Sequence, residues 1–103
     1  MIYEMRVYTL RPGKVREFEA LFESEALPAI QKYSKLIGWW STEIGPLNEV
    51  VHIWAYDDLD HRERKRSAQG ADPQVQAFRA KVQPMFVAQC NKIMTPAGFS
   101  PLK

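Results

Sequence analysis

Cysteine and histidine are scarce in this chain: Cys90, His52 and His61 are all that its 103 residues contain. One cysteine excludes an internal disulfide and any zinc site built from cysteine pairs. The two histidines lack the His-x-x-x-His spacing of a helical metal pair, so no metal is expected. No run of about 18 apolar residues occurs, which argues against a membrane-spanning helix. The opening MIYEMRVYTL carries Glu4 and Arg6 within it and so does not read as a signal or transit peptide. A net charge of +2 is too small to call for nucleic acid or a membrane surface. A glycine-rich phosphate loop, a nucleophile elbow and a Ser/His/Asp order are all missing, and no cofactor is expected. What remains is a protein expected in the reduced cytoplasm. At 46% hydrophobic and 25% charged, residues 1–103 suit one domain with one core.

What the chain does have is concentrated between Asn48 and Arg66, in NEVVHIWAYDDLDHRERKR. Its first half alternates with the period of a strand. Asn48, Val50, His52, Trp54 and Tyr56 fall on one face; Glu49, Val51, Ile53 and Ala55 fall on the other. The second row is ordinary packing material. The first carries an amide, an imidazole, an indole and a phenol, and a strand needs only one apolar face to join a core. The polar and aromatic face is therefore expected to line a pocket or an interface.

Ile2–Leu10 alternates in the same way, with Tyr3, Met5, Val7 and Thr9 opposite Ile2, Glu4, Arg6, Tyr8 and Leu10. Arg11-Pro12-Gly13 makes a turn. From Lys14 to Tyr33 an apolar stripe through Val15, Phe18, Phe22, Ala26 and Ile30 predicts a helix. Pro28 has no N–H for the Ser24 carbonyl, so a kink or break is expected near Ser24–Leu27. A strand over Ile37–Ile44 and a reversal at Gly45-Pro46-Leu47-Asn48 give a hairpin with the strand that follows. Asp57 is placed to cap a helix from Asp58 to Gln69, ending at Gly70, in which Leu59 and Ala68 are nearly the only apolar residues. Asp72 and Pro73 open another helix, with the stripe Val75, Phe78 and Val82. A strand over Val87–Met94 follows, with Cys90 expected as a small buried residue.

The order strand, helix, strand, strand, helix, strand predicts a ferredoxin-like α+β fold. Its four-stranded antiparallel sheet would have both helices on one face and the first and third strands at its centre. The aliphatic rows Tyr3-Met5-Val7 and Val51-Ile53-Ala55 are assigned to the helices. The rows Glu4-Arg6-Tyr8 and His52-Trp54-Tyr56 are assigned to the other face. Left open, that face would be a larger aromatic patch than soluble monomers tolerate. A second copy of the chain is expected to cover it, as a homodimer with a pocket between each sheet and its partner.

The segments YEMRVYTLRPGK and NEVVHIWAYDDLDHRERKR, followed by DPQVQAF, resemble the NIPSNAP family, and the resemblance extends over nearly the whole chain. It rests on Glu4, Arg6 and Tyr8, on the series Asn48, His52, Trp54 and Tyr56, and on Arg62 and Arg66. It implies a ferredoxin-like fold of the dimeric α/β-barrel superfamily and a small single-domain protein of the bacterial type. Eukaryotic members of the family carry two such domains and a mitochondrial leader. The resemblance implies no settled chemistry.

The candidate site follows from the same residues. His52 is the candidate proton carrier, because an imidazole titrates near neutrality. Glu4 and Arg6 alternate beside it, as an acid with an anion-binding arginine or as a structural ion pair. Tyr8, Trp54 and Tyr56 offer a stacking wall with polar tips, and Asn48 stands at its end. Arg62 and Arg66, one helical turn apart, suit a carboxylate or phosphate, or form part of a solvated basic face. Three readings stay open. The chain binds a small aromatic or acidic molecule; or it catalyses cofactor-independent oxygenation or isomerisation with His52, Arg6 and Glu4; or it is an interaction module without a ligand.

Overall fold

The alternating stretch at the start of the chain forms strand β1 (Ile2–Leu10), and the arginine–proline–glycine turn leads into helix α1 (Val15–Leu21). The computed structural model describes residues 1–103. Beyond α1 the helix widens into a π-turn over Phe22–Ala26 and resumes as α2 (Leu27–Ile30). The Leu27 amide bonds to the Phe22 carbonyl five residues back, and Pro28 brings no amide to restore the tighter spacing. The expected kink is thus a π-turn. It rotates the helix so that Phe18, Phe22, Ala26, Ala29 and Ile30 all stay buried.

Strand β2 (Lys35–Ser41) pairs antiparallel with β3 (Glu49–Tyr56). It starts and stops earlier than the sequence pattern suggests. A register shift between Leu36 and Gly38 inserts Ile37 as a bulge, so strict alternation fails there. The reversal is a longer loop over 42–48, closed by a bond from the Thr42 amide to the Glu49 carbonyl at 3.0 Å. Asn48, at φ 60, completes it in the left-handed region that asparagine tolerates. Helix α3 (Leu59–Ala71) is capped by Asp58, one residue later than expected, whose side chain accepts from the His61 amide. It runs through Gly70 instead of stopping there. Asp72 then caps α4 (Pro73–Val82), as expected, accepting from the Gln74 amide at 2.9 Å. A 3₁₀ turn at Gln83–Met85 gives way to β4 (Phe86–Met94).

The sheet order is β2-β3-β1-β4, all antiparallel, with β1 and β3 central. This is the ferredoxin-like α+β arrangement read from the sequence.

The assignment of the two sheet faces is reversed. The core joins Leu10, Val50, Trp54 and Tyr56 to Phe18, Phe22, Val75 and Phe78 of the helices. The row of Glu4, Arg6, Tyr8, His52, Trp54 and Tyr56 therefore faces the helices, and the aliphatic row Met5, Val7, Val51 and Ile53 forms the outer face. Alternation identifies which residues share a face but not which face the helices cover. The polar tips seemed to disqualify the first row from a core. All but His52 Nε2 are satisfied internally instead, and the helices bring phenylalanines to meet its aromatic rings. Cys90, which pairs with Val7 in the register, is exposed and not buried.

Helix α3 shows how a helix almost without apolar residues is held. Gln69 is its one buried residue, and it accepts from the Ser34 hydroxyl at 3.0 Å, which in turn meets the Tyr56 hydroxyl at 2.9 Å. One turn from the other end, Arg62 donates twice to Glu4 of β1, both bonds at 3.0 Å. Polar bonds do here what an apolar stripe does in α4.

Candidate functional site

Reversing the faces moves the pocket. A cavity of about 570 Å³ lies within the single chain, between the sheet and the helices. Its floor is the expected row: Arg6 and Tyr8 from β1 with His52, Trp54 and Tyr56 from β3. Phe18 of α1, Phe22 of the π-turn, and Val75 and Phe78 of α4 form its roof. The polar residues Arg66, Gln69, Arg79, Gln83 and Gln89 complete the wall.

At the centre His52 is 2% exposed and held from several sides. Trp39 of β2 stacks on it at 4.3 Å between ring centres with 17° between planes, and Tyr8 meets it edge-on at 4.7 Å. The Trp54 indole N–H donates to His52 Nδ1 at 2.6 Å. A nitrogen that accepts carries no proton, so in the neutral ring the proton lies on Nε2. Burial pushes the imidazole pKa down to about 3, the charges of Arg6 and Arg66 adding to the effect and that of Glu4 opposing it. At neutral pH His52 is therefore an uncharged donor at Nε2, and that atom is buried with no hydrogen-bond partner.

Glu4 is fully buried beneath this floor. It accepts from Arg6 at 2.8 Å, from both donors of Arg62, and from the Asn91 amide at 2.7 Å. Burial alone would raise its pKa; the hydrogen bonds from Arg62 and Asn91 and the charges of Arg6 and Arg66 bring it down to about 2. It is a carboxylate fully committed to structure. Arg6 reaches past it, and its Nε donates to the Tyr8 hydroxyl at 3.0 Å.

Of the residues singled out from the sequence, Arg6, Tyr8, His52, Trp54, Tyr56 and Arg66 meet at the cavity. Glu4 and Arg62 lie behind it, bound to each other, and Asn48 sits in the 42–48 loop, away from the wall. Sequence reasoning missed Arg79, Trp39 and the phenylalanine roof. Phe18, Phe22 and Phe78 stand at helical spacing and read only as core. Trp39 falls beside the bulge, where alternation no longer reports the face. Nothing in the sequence marks Arg79 apart from other surface arginines.

The chain matches the NIPSNAP family over residues 3–101. It is 42% identical over 77 residues to the human protein NipSnap homolog 3A, a match covering 74% of this chain and 31% of that protein. The chain thus spans about a third of the length of that curated relative. A crystal structure of a NIPSNAP family protein with unknown function from Agrobacterium tumefaciens superposes with a TM-score of 0.96 at 39% identity, covering 100% of this chain and 94% of that one. A cofactor-independent oxygenase from Streptomyces nogalater shares the fold at a TM-score of 0.68 and 18% identity, covering 97% and 96% of the two chains.

Proposed function

The chain belongs to the NIPSNAP family, and from that premise we propose that it binds a small, largely apolar molecule in the cavity between its sheet and helices. The observation that carries this reading is the unpaired Nε2 of His52, a residue that lines a cavity of about 570 Å³. A buried donor without a partner is a standing cost of about 1–3 kcal/mol. A ligand acceptor in the cavity removes that cost, and the aromatic floor and roof receive the ligand's body. His52 acts as the orienting hydrogen-bond donor, with its tautomer fixed by Trp54.

N-Phenyl-1-naphthylamine, a neutral dye that brightens in apolar sites, tests the pocket directly. It should bind the parent protein, and Ala80→Trp should abolish that binding by filling the cavity from the exposed wall position Ala80. Equal fluorescence from parent and variant would place the dye elsewhere and remove the pocket reading.

The catalytic reading stands second. It is favoured by the fold shared with a cofactor-independent oxygenase, and it needs a base near the substrate. His52 would serve only by giving up its Trp54 bond or by losing the Nε2 proton, and Glu4 does not line the cavity. Its test is turnover of an enolisable aromatic substrate under oxygen by the parent and its disappearance in His52→Ala.

The outer sheet face supports a homodimer, now through other residues than those first assigned. Met5 lies between Ile53 and Lys92 in the register, and Val7 between Val51 and Cys90. Trp40, 53% exposed, lays its ring across Gly38, where a Cβ would come within 2.4 Å of it. An apolar sheet face with an exposed indole calls for a cover, and a two-fold copy of the same sheet is the economical one. Light scattering should give twice the chain mass of 11.9 kDa. Ile53→Glu should return that value to the single chain, by setting two carboxylates against each other in an apolar interface. A parent protein that scatters as a monomer would end the dimer reading without touching the pocket.

A further inference from the structure

The charge around the cavity is one-sided. Arginines 6, 66 and 79 line it, and no carboxylate does. The nearest acid, Glu4, is fully buried and is shared by Arg6 and Arg62, so one negative charge already answers two positive ones. Arg66 and Arg79 enter no ion pair. Their placement is related. Arg62, Arg66 and Gly70 follow at four-residue intervals along one face of α3. The Arg79 guanidinium of α4 lies over the last of them, its Nη1 3.7 Å from where a Cβ on Gly70 would stand. The Arg79 side chain thus packs over the Gly70 end of α3, within ordinary contact distance of it. Burial and then the charges of Arg66 and Arg6 lower the Arg79 pKa, which is the signature of cations gathered without a counter-ion.

We infer that Arg66 and Arg79, with Arg6 behind them, hold the anionic group of an organic acid whose apolar body occupies the cavity. This deepens the pocket reading and rests on it. The ligand is then amphipathic in a defined sense. A carboxylate or phosphate ester meets two forked guanidinium groups at the polar wall, and a flat or branched apolar body extends along Tyr8, Trp54 and the phenylalanine roof. An acceptor on that body reaches His52 Nε2. A solvated basic surface would not need the guanidiniums on the cavity wall.

Two dyes with one skeleton separate the head from the body. 8-Anilinonaphthalene-1-sulfonate carries a sulfonate that N-phenyl-1-naphthylamine lacks. The parent protein should bind the sulfonate roughly tenfold or more tightly than the neutral dye, because guanidinium-to-anion hydrogen bonds are among the strong ones. That preference should shrink as ionic strength rises. The double variant Arg66→Gln/Arg79→Gln should lose the sulfonate preference and bind both dyes alike. Because neither arginine bonds to the rest of the chain, the variant should unfold at the parent's midpoint. Equal affinities in the parent, or a preference that survives in the double variant, would overturn the anion site while leaving the pocket in place. Failure of both dyes to bind the parent removes the pocket itself, and the anion site with it.

Discussion

Glu4→Ala should destabilise the fold by roughly 3–5 kcal/mol, the range found when one partner of a buried ion pair is removed and the other stays. The side chain is fully buried and takes four hydrogen bonds, three of them from Arg6 and Arg62, whose side chains are only 17% and 21% exposed. Deletion strands two guanidiniums and an amide at once. It also cuts the bonds that tie the first turns of α3 to the sheet, and α3 has no apolar stripe in reserve. At an m-value of about 1.5 kcal/mol/M, the urea midpoint should fall by roughly 2–3 M. Glu4→Gln keeps the shape and the acceptor oxygen, so its loss should be smaller. Arg62→Met should also lose less than Glu4→Ala, since Glu4 keeps Arg6 and Asn91. The double variant Glu4→Gln/Arg62→Met should be less destabilised than the two single losses added together, because the groups share one network. A Glu4→Ala protein with the parent midpoint would mean that α3 is held by something other than this carboxylate.

The network also explains what the sequence revealed and what it concealed. The strand periods at Ile2–Leu10 and Asn48–Tyr56, the proline at 28 and the Asp72-Pro73 start carry local signals, and each appears in the structure close to where it was expected. Topology followed from them, because few arrangements of these elements satisfy handedness and neighbour rules. The face did not follow. Glu4 and His52 looked like residues that must be kept from a core, and only three-dimensional neighbours make them acceptable there. Arg62, 58 positions after Glu4, supplies the charge; Trp54 and Trp39 supply the box for the imidazole. Such partners are invisible to any period. The same holds for the proposed anion site, whose arginines Arg66 and Arg79 come from separate helices and share one cavity wall. Residues of the floor were legible because they share one strand face, and residues of the roof were not because helices reached them from elsewhere.

His52 should make the protein lose stability as the pH falls from about 6.5 toward 3, a loss that begins well before ordinary carboxylates protonate. The folded pKa is about 3 against an ordinary value of 6.5, so in that window the unfolded chain binds a proton that the folded one refuses. Stability rises with pH wherever the unfolded state holds more protons, so the contribution is complete above 6.5 and is lost as the pH drops. Each pH unit between the two values costs up to about 1.36 kcal/mol, a total on the order of 5 kcal/mol from this one ring. The groups responsible surround it: Arg6 on β1 and Arg66 on α3 repel the imidazolium, Glu4 on β1 attracts it less than they and burial oppose it, and Trp54 occupies Nδ1. Glu4 adds a second loss in the same direction at lower pH, between its ordinary 4.5 and about 2. Urea midpoints measured from pH 7.5 down to 5 therefore isolate His52. The parent should show a falling limb that begins near 6.5, and His52→Gln, which keeps an acceptor for the Trp54 indole but takes up no proton, should flatten it while starting from a similar or somewhat lower stability at pH 7.5. Identical slopes in the two proteins would mean that the ring takes its proton in the folded state as readily as in the unfolded one, and the neutral Nε2 donor assigned to the cavity would go with it. An organic anion bound beside Arg66 would offset one of the repelling charges, so a saturating ligand should shift the falling limb of the parent and leave His52→Gln flat.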